Sequence, residues 1–152
     1  IVTEDLAFNI DVYDNGYDEY VNSIKTAKCL DEWTCEISEQ EILRVYDCRP
    51  GELKVKRDVA EWLLRAASEI AGIVGYEDLC SQLYKLHKRV QYGVKEECLK
   101  LLQIKGIGRV RARRLINAGV RSVKDYRLLS PENLKRILRG GKLRRSEQTT
   151  LI

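Results

Sequence analysis

The sequence predicts an all-α protein, built as a helical bundle followed by a small helix-hairpin-helix domain. Three observations support this fold class. Helix-forming residues dominate, and Pro50 and Pro131 are the only prolines among 152 residues. Apolar residues recur at helical spacing, and an apolar content of 44% suffices for a buried core. The last third contains Gly106-Ile107-Gly108, which is typical of a tight turn between two helices.

The first part of the chain predicts four helices after an irregular or extended lead-in at 1–16. Ser38-Glu39-Gln40-Glu41 is a capping box, in which the serine oxygen accepts from the first turn and Glu41 reaches back. Pro50-Gly51 begins the longest periodic segment, and Gly75 ends it, as glycine commonly does at helix ends. We expect these helices at about 17–36, 39–46, 52–74 and 77–91.

The last third predicts four shorter helices, at about 94–103, 109–118, 123–129 and 132–139, and then a basic, frayed tail. Ser122 and Ser130 are placed to cap the last two of them. The predicted helices become shorter after Gly93, which indicates a boundary between two units. We therefore predict a helical bundle at 1–93 and a helix-hairpin-helix DNA-binding domain with a basic tail at 94–152.

The net charge of +4 conceals a strong polarity along the chain. Residues 1–48 carry 3 basic and 12 acidic residues (net −9), residues 49–98 carry 9 and 8 (net +1), and residues 99–152 carry 15 and 3 (net +12). Lys and Arg gain free energy by displacing the counterions of a polyanion, so this polarity favours nucleic acid at the C-terminal end. The alternative is a basic tail that is merely solvated.

Residue usage argues against several classes of protein. The five cysteines are scattered and never spaced C-x-x-C, which predicts reduced, buried thiols rather than disulfides or a metal site. His87 is the single histidine, and we expect it to lie on the surface or to fill the core rather than to bind a metal. No apolar run reaches the roughly 20 residues that a membrane span needs, and no signal peptide opens the chain. We expect a cytoplasmic protein without membrane partners and, because Met is absent, a piece of a longer chain.

The hairpin is the strongest candidate for a binding site. Its glycines permit a turn that leaves amide N–H groups exposed at the start of the second helix, where the helix dipole is positive. Ile107 is expected to insert into the core. We predict that a DNA phosphate binds here without sequence preference, through eight residues: Lys105, Gly106, Ile107, Gly108, Arg109, Arg111, Arg113 and Arg114.

The helix after the hairpin supports this prediction. At about 100° per residue, Ala112, Leu115 and Ile116 share one side, and the arginines lie elsewhere, free to meet neighbouring phosphates. The alternative is a hairpin used only for helix packing or protein contact. A net charge of +12 favours phosphate binding, because packing alone does not require it.

The long helix holds a second candidate. Taking Leu63 as zero, one arc predicts the core stripe: Ala60, Leu63, Ala67, Ile70, Ala71 and Val74. Trp62 lies outside this arc, in line with Val55 and Ile73. An exposed Trp offers a stacking platform for an unpaired base. A Trp that bridges to another helix of the bundle is the alternative.

Five segments occur in an order typical of a known family: Trp33-x-x-Glu36, Pro50-Gly51-Glu52-Leu53, Ala60-Glu61-Trp62-Leu63, Tyr92-Gly93-Val94-Lys95-Glu96-Glu97, and Gly106-Ile107-Gly108-Arg109-Val110-Arg111-Ala112-Arg113-Arg114-Leu115. Over about residues 20–140, the chain resembles the C-terminal region of the archaeal superfamily II DNA-repair helicases of the Ski-two-like branch. In that family two motor domains and a winged helix precede a helical bundle, called the ratchet domain, and a small helix-loop-helix domain closes the chain.

The resemblance implies an accessory strand-binding region of a 3′-to-5′ DNA helicase, whose partners are single-stranded or forked DNA and the motor domains of the same parent chain. It implies that Trp62 stacks on a base of the translocating strand. The family's basic residue about two turns upstream corresponds to Lys54 or Val55 here. Arg111-Ala112-Arg113 matches the family's Arg-Ala-Arg, which implies contact with the emerging strand or a regulatory brake on the motor.

The parent's catalytic motifs are absent from these residues. Neither a G-x-x-x-x-G-K-[ST] loop nor an acidic magnesium box occurs, so we expect no ATP hydrolysis and no cofactor here, with ATP and magnesium bound by the parent's motor domains. An RNA-binding and protein-docking cassette of an RNA-remodelling helicase is the main alternative. A glycosylase is disfavoured, because it needs a catalytic Asp or Lys just beyond the hairpin, where Arg109 stands.

Overall fold

Every regular element that the computed structural model describes, over residues 16–141, is helical, which confirms the all-α prediction. The predicted lead-in and the basic tail beyond residue 141 lie outside the described residues. The elements in chain order are α1 (Tyr17–Thr34), α2 (Glu39–Tyr46), α3 (Pro50–Val74), α4 (Glu77–Tyr92), two 3₁₀ turns (Glu96–Cys98 and Leu101–Gln103), α5 (Arg109–Asn117), α6 (Val123–Leu128) and α7 (Pro131–Leu138).

Local side-chain chemistry sets several helix ends. Ser38 Oγ accepts from the Glu41 amide at 3.2 Å, which is the first half of the predicted capping box. The predicted caps of α6 and α7 are confirmed, since Ser122 and Ser130 accept from the third residue of each helix. Gly75 ends α3 with φ at 91°, a conformation that glycine adopts without a Cβ clash.

The predicted helix at 94–103 is wrong in type, because the structure has two 3₁₀ turns there. In a 3₁₀ turn, residues three apart lie above one another. Cys98 and Leu101 have this spacing, and both are fully buried beside Val94. This spacing turns Cys98 and Leu101 toward one core, whereas Leu99 and Leu102 are only partly buried against it.

The predicted core stripe of α3 is largely wrong. Leu63, Ile70 and Val74 are exposed, at 52%, 61% and 61%. The buried residues of α3 are Leu53, Ser68 and Ala71. On a helical wheel, Ala71 lies at the edge of the predicted arc and Ser68 about 60° beyond it, so the centre of the buried face is roughly 80° from the predicted centre. Small side chains allow close packing on α4, whereas the sequence periodicity predicts burial of the most apolar arc.

Two buried polar side chains join α3 to α4. Ser68 Oγ donates to the Cys80 carbonyl at 3.1 Å, and a His87 ring nitrogen lies 3.1 Å from the Glu61 carbonyl. His87 is 4% exposed, so of the two expected locations, surface and core, it occupies the core. These contacts fix the side of α3 that faces α4 and leave the opposite side exposed.

Most of the buried apolar residues form two clusters, and Ala71 and Val90 lie in neither. The first joins α1, α2 and α3, and contains Cys29, Trp33, Ile42, Tyr46 and Leu53. The second joins the 3₁₀ turns to α5 and α7, and contains Val94, Cys98, Leu101, Ile107, Ala112, Leu115, Val120 and Ile137. The clusters lie on either side of residue 93 in sequence, while the domain boundary itself stays a prediction.

Two smaller expectations can be compared with the described residues. The prediction of buried thiols is right for Cys29 and Cys98 and wrong for Cys35, which is exposed. Within residues 16–141, no helix combines the length and the apolar character that crossing a bilayer demands.

Candidate nucleic-acid interface

The expectation that both hairpin glycines supply a conformation closed to other residues is confirmed for Gly106 and wrong for Gly108. Gly106 has φ at 84°, a conformation that side chains disfavour. Gly108 has φ at −107° and ψ at −173°, which is ordinary extended backbone, and a Cβ built there meets nothing within 4 Å. Between them, Ile107 is 7% exposed and belongs to the second core cluster, as expected. Internal geometry therefore requires glycine at 106 and does not require it at 108.

The start of α5 presents free amide donors. Gly108 is the N-cap and provides no side-chain acceptor, and the first backbone bond into its carbonyl comes from Ala112 at 2.9 Å. Among the described residues, nothing accepts from the amides of Arg109, Val110 and Arg111. These donors, together with the positive end of the helix dipole, can receive an anion.

The structure divides the four arginines around the hairpin into two pairs, and the first pair faces the bundle. Arg109 Nη2 donates to the Ile37 carbonyl at 2.6 Å. Arg113 Nε and Nη2 donate to the Glu36 carboxylate at 2.6 and 2.7 Å, and its Nη1 donates to Glu97 at 2.6 Å. The expectation that the arginines are free is therefore wrong for Arg109 and Arg113, since the bundle already binds them.

Trp33 completes this contact from the side of α1. The guanidinium carbons of Arg57 and Arg109 lie 4.1 and 4.2 Å from its ring centroid, within the range of cation–π attraction. Its indole N–H donates to the Val90 carbonyl at 2.8 Å. A Cβ on Gly93, which has φ at 63°, would lie 2.4 Å from the Trp33 ring. We call Trp33, Glu36, Arg57, Arg109 and Arg113 the junction.

Glu36 is the central acceptor of the junction. Besides Arg113, it accepts from the Lys95 amide at 3.0 Å, and the Cys98 thiol lies 3.5 Å away. Burial acts to raise the pKa of Glu36, but the hydrogen bonds from Arg113 and Lys95 outweigh it, so the pKa is lowered. Its backbone has φ at 71°, which is uncommon for a residue with a side chain. Glu36 therefore remains charged and holds α5 against the end of α1.

The second pair, Arg111 and Arg114, is exposed. Arg111 Nη1 donates to the Gly106 carbonyl at 2.6 Å, which places its guanidinium over the hairpin turn. Arg114 Nη1 donates to the Leu138 carbonyl at the end of α7. Lys105 is exposed beside the turn. Arg111 therefore lies at the hairpin turn and Arg114 at the end of α7. Among the described residues, no hydrogen bond joins these two arginines or Lys105 to the bundle.

Trp62 is 67% exposed, so the alternative in which it bridges to another helix is not seen among the described residues. Lys54 is also exposed on α3. No hydrogen bond, ion pair or ring contact of the described residues joins either one to the hairpin. The predicted site residues therefore lie on two surfaces, the hairpin and the exposed side of α3. Their roles in binding stay predictions.

The sequence alone does not predict the junction, although the spacing of two arginines indicates it. Arg109 and Arg113 are four residues apart and thus share a face of α5, which predicts a common neighbour. The sequence indicates no more than a place for Trp33 on the apolar side of the first long helix, and the family pattern that includes Trp33 and Glu36 gives neither of them a role. Their partners come from distant parts of the chain, and the spacing of residues along one helix cannot identify them.

Comparison with known proteins connects these surfaces to a family. Residues 2–93 match the family described as "Archaeal helicase, domain 4", and residues 99–140 match "SAM-like Helix-hairpin-helix tandem". A protein named ATP-dependent DNA helicase Hel308 from Caldivirga maquilingensis is 41% identical over 127 residues, covering 82% of this chain and 17% of that protein.

Two further relatives carry the same name. The one from Methanocaldococcus jannaschii is 46% identical over 107 residues, covering 70% of this chain and 9% of the relative. The one from Thermococcus kodakarensis is 37% identical over 125 residues, covering 82% of this chain and 11% of the relative. The chain thus spans less than a fifth of the length of these relatives. The chain belongs to the archaeal helicase domain 4 family, and a helix-hairpin-helix tandem follows that domain.

Proposed function

We propose that this chain is a DNA-binding accessory region of an ATP-dependent DNA helicase. In this proposal the hairpin binds the phosphate backbone, and α3 guides a single strand through Trp62. The names of the relatives favour DNA over the RNA alternative. The 3′-to-5′ direction, a preference for forked DNA, contact with motor domains and the location of ATP and magnesium in those domains belong to the same proposal.

The observation that carries the proposal is the start of α5. Free amides there coincide with Gly108, a glycine that internal geometry does not require. A missing side chain at such a position permits a ligand to approach the backbone closely. Lys105 and Arg111 add positive charge around the same donors. A phosphate oxygen satisfies all of these features at once.

The exposed side of α3 supports the second part of the proposal. Because the Trp62 ring is two-thirds exposed, its burial contributes little to the stability of the fold. Stacking on an unpaired base would give this ring a function. Lys54 lies eight residues before Trp62, about 12 Å along the helix, and adds a charge for the same strand. Stacking depends little on which base is present, as a translocating helicase requires.

The test compares the two arginine pairs by the salt dependence of DNA affinity. Arg111→Ala with Arg114→Ala removes up to two phosphate contacts, so the slope of log affinity against log salt should fall by about 1.4–1.8 units. Arg109→Ala with Arg113→Ala is the matched control, and its slope should stay unchanged as long as the variant folds. A Gly108→Ala variant should keep its thermal stability and lose affinity.

Fluorescence anisotropy on unrelated single-stranded and duplex sequences gives these slopes directly. If the slope of the Arg111 and Arg114 variant equals that of the wild type, the hairpin does not bind phosphate through these residues. For α3, Trp62→Ala should weaken single-strand affinity, since stacking contributes about 1–3 kcal/mol per base. Unchanged single-strand affinity in that variant would contradict the role given to α3.

A further inference from the structure

A groove of about 520 Å³ runs between α4 and the two 3₁₀ turns, on neither of the surfaces described above. Its chemistry comes from two tyrosines, three lysines and one glutamate: Tyr84, Tyr92, Lys85, Lys88, Lys100 and Glu96. Half-buried Leu99 and Leu102 form part of its wall and connect it to the second core cluster. We call this feature the aromatic groove.

The tyrosine rings are available to a ligand. Tyr84 is 55% exposed and Tyr92 is 41% exposed, although both are large and partly apolar. On α4 they lie within about 80° of each other and about 12 Å apart along the axis. That separation exceeds the rise of about 3.4 Å between stacked bases several times over, so the rings would contact different bases rather than enclose one.

The lysines give the aromatic groove a net positive charge. The Lys88 ammonium lies 5.6 Å from the Tyr84 ring centroid and donates to the Gln91 side chain. Lys85 pairs with Glu96 at 2.9 Å, and both side chains are at least half exposed. Lys100 is exposed and has no carboxylate partner in the described part of the chain. Three lysines against one glutamate leave two positive charges next to two ring faces.

We propose that the aromatic groove binds single-stranded nucleic acid, with bases on Tyr84 and Tyr92 and phosphates near Lys88 and Lys100. Exposed aromatic rings interleaved with cations are the combination by which proteins bind single strands without reading their sequence. The proposal rests on the proposed function for the class of its ligand, but it assigns a separate surface. The strand would thus contact the molecule at α4 as well as at α3 and the hairpin.

The experiment uses the 152-residue chain and a deoxythymidine oligonucleotide in which one base is replaced by 5-iodouracil. Irradiation joins this base to an aromatic side chain that stacks on it, and mass spectrometry of the digest identifies the residue. We expect adducts on Tyr84 and Tyr92. In parallel, Tyr84→Leu with Tyr92→Leu should weaken affinity at least about fivefold, the lower range for one lost base stack.

Two controls separate stacking from folding. Tyr84→Phe with Tyr92→Phe keeps both rings and should retain the affinity. Tyr76→Leu removes an equally exposed tyrosine outside the aromatic groove and should have no effect. Adducts on Trp62 alone, with full affinity in the leucine variant, would overturn the proposal and leave the proposed function intact. A wild-type chain without measurable binding or adducts would overturn both.

Discussion

The two faces of α5 show how identical residues acquire different roles. Arg109 and Arg113 face the bundle and are bound by the Ile37 carbonyl, Trp33, Glu36 and Glu97. Arg111 and Arg114 stand on another face of the same nine-residue helix, and within residues 16–141 their hydrogen bonds go to backbone carbonyls of the hairpin and α7. A basic composition therefore overstates the charge that is available to a ligand, because half of these arginines already have anionic or aromatic partners.

The loss of folding stability on removing an arginine's partner also differs between the two faces of α5. The Arg113 and Glu36 side chains are 26% and 11% exposed, so loss of either one leaves the other charged and poorly hydrated. On the outer face, water replaces a lost contact at little cost. We expect substitutions at the junction to act on stability, and substitutions on the outer face to act on DNA affinity.

The largest effect is expected at Trp33. Trp33→Ala removes a ring that is 6% exposed, together with its contacts to Arg57 and Arg109, and should lower the free energy of unfolding by about 3–5 kcal/mol. Trp62→Ala is the matched control, because that ring is exposed, and should change stability by less than about 1 kcal/mol. Urea denaturation followed by circular dichroism measures both. Equal losses of stability in the two variants would contradict a structural role for Trp33 that Trp62 lacks.

The second largest effect is expected at Arg113, with Arg111 on the outer face as its control. Arg113→Ala should lower the free energy of unfolding by about 1–3 kcal/mol, less than for a fully buried ion pair because Arg113 is partly exposed. Arg111→Ala should lie within about 0.5 kcal/mol of the wild type, as exposed substitutions usually do. Thermal denaturation of both variants is sufficient. A larger loss in Arg111→Ala would mean that the outer face, too, is structural.

The junction should also make stability depend on acid pH. The folded pKa of Glu36 is lowered from its usual value of 4.5, so its contribution is complete above that pH. The contribution is lost as the pH falls through the lower, folded value, because the unfolded chain binds the proton more tightly. Between about pH 5 and pH 3, the wild type should lose more stability than Glu36→Gln. If stability fell equally with pH in the wild type and in Glu36→Gln, the charge of Glu36 would not stabilise the junction.

The smallest effect concerns thiol reactivity. Burial, together with the charge of Glu36, raises the pKa of Cys98 to about 12, whereas Cys35 is exposed. Iodoacetamide at pH 8 should therefore modify Cys98 more slowly than Cys35, by at least about tenfold, because almost no Cys98 thiolate is present. Arg113→Ala should speed the modification of Cys98 if it loosens the junction, and Arg111→Ala should not. A fast reaction of Cys98 in the wild type would show that the junction opens readily.

The sequence by itself determined the local features of this protein. Helix caps at Ser122 and Ser130, the ends of α3 at Pro50 and Gly75, and the insertion of Ile107 depend on residues close together in the chain. Short-range hydrogen bonds and backbone preferences decide such features, and the sequence shows both. Short sequence motifs of the same local kind predict the hairpin and the family to which the chain belongs.

Only the tertiary structure decided which sides of these helices meet. The buried face of α3 follows small residues that admit α4, rather than the most apolar arc, because close packing depends on the shapes of two helices at once. Arg113 meets Glu36 across 77 residues of sequence, and Arg109 meets Ile37 across 72. Periodicity describes one helix at a time, so it could place these arginines on faces of α5 but could not say which face the bundle covers.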